Sequence, residues 1–264
     1  MKYTVVRFAL AGPAIPGLTD ALTIGERMRK ALMAKTQTVE GGQTALALFS
    51  GRSADGNRLR DDHAHAFFLP ADDNNDGQLD HLTVWIPAGI DTPTQKVLGR
   101  LRRLWGAGEQ DIFTALMGIG NPADYGGLFV SRGLTPQLAT SRLWVARTPF
   151  LLLRHPKVFR TGKPKVGESG LQIDGPEDQL RKELVKRGFP EPRRVDIISC
   201  ILVKGKKLYW QDFRTHRADG GGQPAVSGGY GFRLSFDQPV QGPICLGYGC
   251  HFGLGQFIAD GVIS

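Results

Sequence analysis

Residues 61–87 read DDHAHAFFLPADDNNDGQLDHLTVWIP. Two runs with strand character, 64–69 and 81–86, flank a turn built almost wholly from Asp, Asn and Gly, which predicts a β-hairpin. Alternate residues of a strand point to one face. A first strand beginning at Asp62 would therefore set His63 and His65 side by side at the mouth of the hairpin. Imidazole titrates near neutrality without help from its surroundings, so the pair suits general acid–base chemistry. The plainer alternative is two histidines satisfied by structural hydrogen bonds.

Outward from the hairpin, residues 3–10 predict a strand. A capping box at Thr23-Ile24-Gly25-Glu26 predicts the start of a helix with Ile24, Met28, Ala31 and Leu32 inside. Arg27, Arg29 and Lys30 fall off that stripe and are expected in solvent. Residues 45–49 suggest a short strand. Downstream of the hairpin, Thr92 and Pro93 open a helix that buries Val97, Leu98, Leu101 and Leu104, and Gly106 and Gly108 close it. Residues 112–119 form a further strand. The order is that of the ferredoxin-like β-α-β-β-α-β unit. A Gly- and Pro-rich stretch, 122–140, reads as a linker between a first module (1–121) and a second (141–264).

The second module repeats the order: a strand over 142–153, a basic loop over 154–175, and a helix from Pro176 to Gly188 with Leu180 and Leu184 inside. A hairpin of 195–203 and 207–213 follows, turning at Lys204-Gly205-Lys206, and then strands at 230–236 and 256–258. Residues 238–250 hold too many Gly and Pro for a second helix. The fold class is α+β, two ferredoxin-like (RRM-like) modules in tandem.

Charge separates the halves. Residues 1–139 carry 14 Lys/Arg and 14 Asp/Glu, residues 140–217 carry 18 and 8, and residues 218–264 carry 1 and 3. The whole excess of +8 thus comes from one block, which points to a polyanion-binding surface. Arg142, Arg147, Arg154, Lys157, Arg160, Lys163 and Lys165 interleave there with Trp144, Phe150 and Phe159, and Arg214, His216 and Arg217 follow. Cations attract phosphates and aromatic rings can stack on unpaired bases; solvated lysines and core aromatics are the plainer reading. The three cysteines lack zinc spacing and no apolar run is long enough for a membrane span, so a reduced, cytoplasmic compartment is expected, with no membrane partner.

Two further motifs carry candidate chemistry. GYGCHFGLGQF sets Gly247, Gly249, Gly253 and Gly255 around His251. Such a loop either brings backbone amides up to phosphate oxygens or is simply a tight connection. It is neither a Walker loop nor a dinucleotide fingerprint. Asp72-x-Asn74-x-Asp76-Gly77, with Asp80 nearby, matches the first half of a calcium loop but lacks its closing Glu. A plain turn and a structural calcium both fit it.

Taken together, DHAHAFFLP, HFGLGQF, RFALAGPAIPGLTDALTIGERMRKALM, SRLWVARTPFLLLRH and PVQGPICLGYG resemble the CRISPR repeat-processing endoribonucleases of the RAMP superfamily, in the type I-U (I-G) variant. In that variant the domain is usually fused behind another RAMP module, and this sequence is similar to the processing half alone. The resemblance implies repeat RNA hairpins as substrate, other CRISPR effector subunits as partners, metal-independent cleavage, no required cofactor, and RNA contact at Gly247–Gly255. Related nucleases often keep a histidine near the first helix, and this chain has none there.

On this reading His65 is the first candidate for general acid or base, with His63 its neighbour. Arg214, Arg217 or His251 would offset charge on the scissile phosphate. A non-catalytic RNA-binding subunit and a metal-dependent phosphodiesterase are the rival readings.

Overall fold

The computed structural model describes residues 2–57, 59, 63–106, 109–126, 135–217 and 222–260. It divides into two compact units, Met1–Tyr125 with His251–Gly253, and Gly126–Cys250 with Leu254–Ser264.

The first unit runs β1 (Val5–Ala11), α1 (Ala21–Thr36), α2 (Gly42–Ser50), β2 (Phe67–Ala71), β3 (His81–Trp85), α3 (Thr92–Gly99), β4 (Arg103–Gly106), β5 (Glu109–Gly120) and the short turn α4 (Pro122–Tyr125). Its sheet has the order β2-β3-β1-β5-β4, antiparallel throughout. With α1 between β1 and β2 and α3 between β3 and β5, this is the ferredoxin-like arrangement; α2 and the edge strand β4 are additions. Phe8, Phe68, Leu82 and Val84 of the strands and Leu22, Ile24, Met28 and Leu32 of α1 are fully buried. Burying each such side chain contributes roughly 1.5–3 kcal/mol.

Residues 45–49 are helical, within α2, between left-handed Gly41 and Gly51. A short apolar run has no decisive period, and Ala and Leu favour helix. Helix α1 starts at Ala21 behind a 3₁₀ turn, so Thr23 lies inside it and no capping box forms. Asp91, not Thr92, caps α3 by accepting the Thr94 amide at 2.8 Å. That helix stops at Gly99; Leu101 follows it, Leu104 belongs to β4, and Gly108 lies outside the described residues.

Arg27 is buried rather than solvated. Its guanidinium donates to the carbonyls of Leu104 (3.0 Å), Trp105 (3.2 Å) and Gln110 (3.0 Å), tying α1 to the β4–β5 hairpin.

In the second unit β6 (Thr140–Ala146) precedes α5 (Pro176–Lys186), β7 (Arg194–Ile198), β8 (Cys200–Val203), β9 (Lys206–Tyr209), β10 (Gly231–Gln241), β11 (Ile244–Cys245) and β12 (Gln256–Ala259). The sheet order β11-β12-β6-β10-β7 repeats the first unit's pattern, with β6, β7, β10 and β12 in the four ferredoxin positions. Between β10 and β12 the only helical piece is the 3₁₀ turn Cys250–Phe252, as the Gly and Pro content predicts. The strand expected over 195–203 breaks at Ser199, and β8 and β9 pair as a separate hairpin. Its turn is left-handed at Lys204 and Gly205. Of the stretch read as a linker, 122–125 groups with the first unit, a buried 3₁₀ turn spans Pro136–Leu138, and 127–134 lies outside the described residues. No helix among the described residues is long and apolar enough to cross a membrane.

Arg27→Met should leave three hairpin carbonyls without their charged donor, at a cost of about 2 kcal/mol or more. Chemical denaturation should show the loss, whereas Lys30→Met, at an exposed position of the same helix, should stay within about 0.5 kcal/mol of wild type.

Candidate active site

The two histidines of DHAHAFFLP do not share a strand face. Strand β2 begins at Phe67, Asp61 and Asp62 lie outside the described residues, and His63 is left-handed with φ of 66°. An αL conformation is uncommon for any residue but Gly, less so for Asn, Asp and His than for the rest, and costs on the order of 1–3 kcal/mol. The segment is pinned on both sides: Ala66 donates its amide to Leu48 of α2 at 3.0 Å, and Ala88 donates to Ala64 at 3.0 Å.

What the sequence separates, the first unit gathers. The His251 ring stacks on His65 with centroids 4.1 Å apart and planes within 3°, and on Phe67 at 3.8 Å and 19°. Two rings stacked that closely on one imidazole must occupy its opposite faces, so His251 is sandwiched. Phe67 in turn packs on Trp85 at 4.8 Å. Gly51, left-handed at 66°, leaves room for His65: a Cβ there would lie 3.0 Å from the ring.

Hydrogen bonds fix the tautomers. Nδ1 of His251 lies 3.0 Å from the carbonyl oxygen of Ala66. A carbonyl can only accept, so that nitrogen carries a proton. In the neutral ring Nε2 is then an acceptor, and it faces Nδ1 of His63 at 2.8 Å. His63 therefore donates from Nδ1, which makes its own Nε2 the basic nitrogen. The result is a chain from a backbone carbonyl through two imidazoles, an arrangement in which one group fixes the orientation and tautomer of the next.

The Asp-rich turn is closed by its own side chains. The buried Asp72 carboxylate accepts the amides of Asp76 (2.9 Å) and Gly77 (2.8 Å), Asn74 accepts from Asp76, and Asp76 accepts from Gln78. Among the described residues, one ligand atom each of Asp73, Asp80 and His81 lies within 4.8 Å of the others. Asp73 is also ion-paired with Arg7, itself buried and bonded to Thr83 at 2.8 Å. Burial pushes the Asp73 carboxyl up despite Arg7. Burial acts the same way on Asp80, but hydrogen bonds from His81 and the Asp73 amide bring it below its usual range.

In the second unit the basic residues differ in exposure. Arg154, Lys157, Arg160, Lys163, Arg214 and His216 are exposed, Arg217 is half-buried, and Arg147 is buried. Trp144 and Phe150 are core residues, but Phe159 is exposed. Gly247, Gly249, Gly253 and Gly255 all take positive φ, as a tight loop requires. The Gly247 amide donates to Glu183 at 2.8 Å and the Gly255 amide to Pro149 at 2.9 Å, so these two donors are used within the protein. Sequence reading missed Phe67 as a stacking partner and Glu183 and Arg187 as clamps of the loop. Only the i,i+4 spacing of Glu183 and Arg187 on a helix hinted at the latter.

No protein-family model matches the chain, and no curated protein matches it in sequence. Two solved structures align along nearly the whole chain. One, described as a RAMP protein binding different RNA substrates, has 12% identity and a TM-score of 0.39, covering 98% of this chain and 99% of its own. The other, described as a Cas6 product complex, has 14% identity and a TM-score of 0.41, covering 97% and 99%.

The tautomers can be checked by nitrogen-15 NMR of labelled histidine at alkaline pH. His63 and His251 should both carry their proton on Nδ1, with His251→Ala removing its own signal and changing the tautomer balance of His63. A His251 protonated on Nε2 instead would break the assignment.

Proposed function

We propose that this chain is a metal-independent endoribonuclease that matures precursor CRISPR RNA by cutting within the repeat. The observation that carries this reading is the hydrogen-bonded chain Ala66–His251–His63, with His65 stacked on it. It is supported by the resemblance of DHAHAFFLP and HFGLGQF to repeat-processing nucleases, since those two stretches supply the three histidines. The excess charge of residues 140–217 supports a polyanionic substrate.

Nε2 of His63 takes the proton of a ribose 2′-hydroxyl, while its Nδ1–H stays on His251. The imidazolium thus forms with its charge already hydrogen-bonded. The 2′-oxygen bonds to phosphorus, the bond from phosphorus to the 5′-oxygen breaks, and the leaving oxygen takes a proton from His65 in its protonated form. The products are a 2′,3′-cyclic phosphate and a 5′-hydroxyl. His65, the first candidate for general acid or base on sequence, takes the acid's part in this reading, and His63, held at its Nδ1 by His251, takes the base's. A cation at the Asp-rich turn would be structural, because Asp72 already serves the turn's own amides.

His63→Ala should slow single-turnover cleavage of repeat RNA by roughly 10²–10⁴-fold, and His251→Ala by less, since it orients rather than accepts. RNA affinity should stay within a few-fold in both, and chelator should leave the wild-type rate unchanged. Cleavage that needs added metal would favour a phosphodiesterase centred on Asp73, Asp80 and His81. Tight RNA binding without cleavage would favour a non-catalytic effector subunit.

Replacing Arg154, Lys157, Arg160 and Lys163 with alanine should weaken binding and flatten the log–log salt dependence by about 0.7 per lost phosphate contact on single strands. The same number of changes at Lys96, Arg100, Arg102 and Arg103 should matter less. Equal losses from the two sets would mean diffuse attraction rather than an RNA track.

A further inference from the structure

Residues 154–174 form an ordered platform rather than an open loop. Short extended pieces pair through bridges Val158 to Pro164 and Val166 to Gln172. Amides of Lys157, Phe159, Lys165, Gly167 and Ile173 all donate to carbonyls within the segment, at 2.8–2.9 Å. Its stem is closed from α5 by the buried Gln179. Its oxygen accepts the amides of Leu153 and Arg154 at 3.1 Å each, and its nitrogen donates to Arg154 (2.8 Å) and Asp174 (2.6 Å).

This platform holds an aromatic ring out into water. Phe159 is 54% exposed, with Val158 and Val166 exposed beside it. The Lys165 ammonium lies 5.2 Å from the ring centroid, within cation–π range. With that ammonium beside it, the residue still keeps over half its surface in water. Five cations and no acidic residue fall between positions 154 and 165. Fixed cations around an exposed flat π-face complement a nucleotide's phosphate and base.

We propose that Phe159 is a stacking platform for an unpaired RNA base, held by the 154–174 meander with its cations on the flanking phosphates. The proposal rests on the RNA reading above and assigns single-stranded RNA, rather than duplex, to this surface.

Fluorescence anisotropy with a labelled 12-nucleotide oligo(rA) and a 12-base-pair RNA duplex tests it. Phe159→Ala should weaken oligo(rA) binding roughly 5- to 150-fold, leave duplex affinity within about twofold, and keep the salt slope unchanged because no cation is lost. Phe159→Trp should restore affinity to within a few-fold. Since the side chain is exposed, the melting temperature should stay at the wild-type value.

Several results would overturn the proposal: a loss under twofold, equal losses on single strand and duplex, failure of Trp to rescue, or a lowered melting temperature that accounts for the loss. So would binding of phosphatidylserine vesicles that depends on Phe159 when oligo(rA) binding does not. If the wild type binds neither RNA even at low salt, the RNA function fails as a whole. RNA binding indifferent to Phe159 removes this inference alone.

Discussion

The seat of residues 251–253 against α1 and β2 is the constraint on which the candidate active site depends. These three residues belong to the first compact unit, although the chain on either side of them belongs to the second. At Gly25, in the middle of α1, a Cβ would lie 2.5 Å from the carbonyl oxygen of Phe252. Glycine within a helix costs about 1 kcal/mol against alanine, and here its absent side chain is what lets a second backbone approach. The Phe252 ring stacks on Phe68 at 6.2 Å, and the Arg29 guanidinium lies 5.8 Å from its centroid. His251 is placed by these neighbours as much as by its own hydrogen bonds.

Within the second unit, the loop leading to position 251 holds its shape through charge. Arg187 is ion-paired with Glu183 and donates to Cys250 Sγ at 3.2 Å, while Glu183 accepts the Gly247 amide. Burial opposes the charge on Arg187, but Cys250 and Glu183 outweigh it and hold the guanidinium more firmly protonated. Burial pushes the neighbouring Cys245 thiol up. A buried pair of this kind is costly to break from one side, because the remaining charge is left without compensation. The loop's glycines therefore serve geometry first. At Gly247 a Cβ would meet the Leu151 carbonyl at 2.6 Å, on a backbone already left-handed.

The tandem architecture was legible because it rests on burial periodicity and on punctuation by Gly and Pro, both local properties. Pro176 to Gly188 was read almost to the residue for that reason. Residues 45–49 were misread because ALALF offers no polar residue to mark a period, and only its glycine neighbours show where the helix ends. Arg27 was misplaced because its value lies in carbonyls 77 to 83 positions away. The histidine site was half legible. DHAHAFFLP marked two of its rings, but His63 and His251 meet across 188 positions. A left-handed histidine before a strand that starts late also defeats any argument from alternation.

The hydrogen bond between His63 and His251 also limits what the pair can do with protons. In its neutral form one N–H bridges two facing nitrogens, and an incoming proton lands on the outer Nε2 of His63. A second proton would have to sit between nitrogens 2.8 Å apart that already share a hydrogen, which breaks the bond. In the reading proposed above the pair therefore acts once, as base, and the proton that goes to the leaving oxygen comes from a separate group. His65, stacked on His251 and set against Gly51, is the histidine placed to supply it. On that reading the left-handed backbone at His63 serves to bring its Nδ1 onto His251.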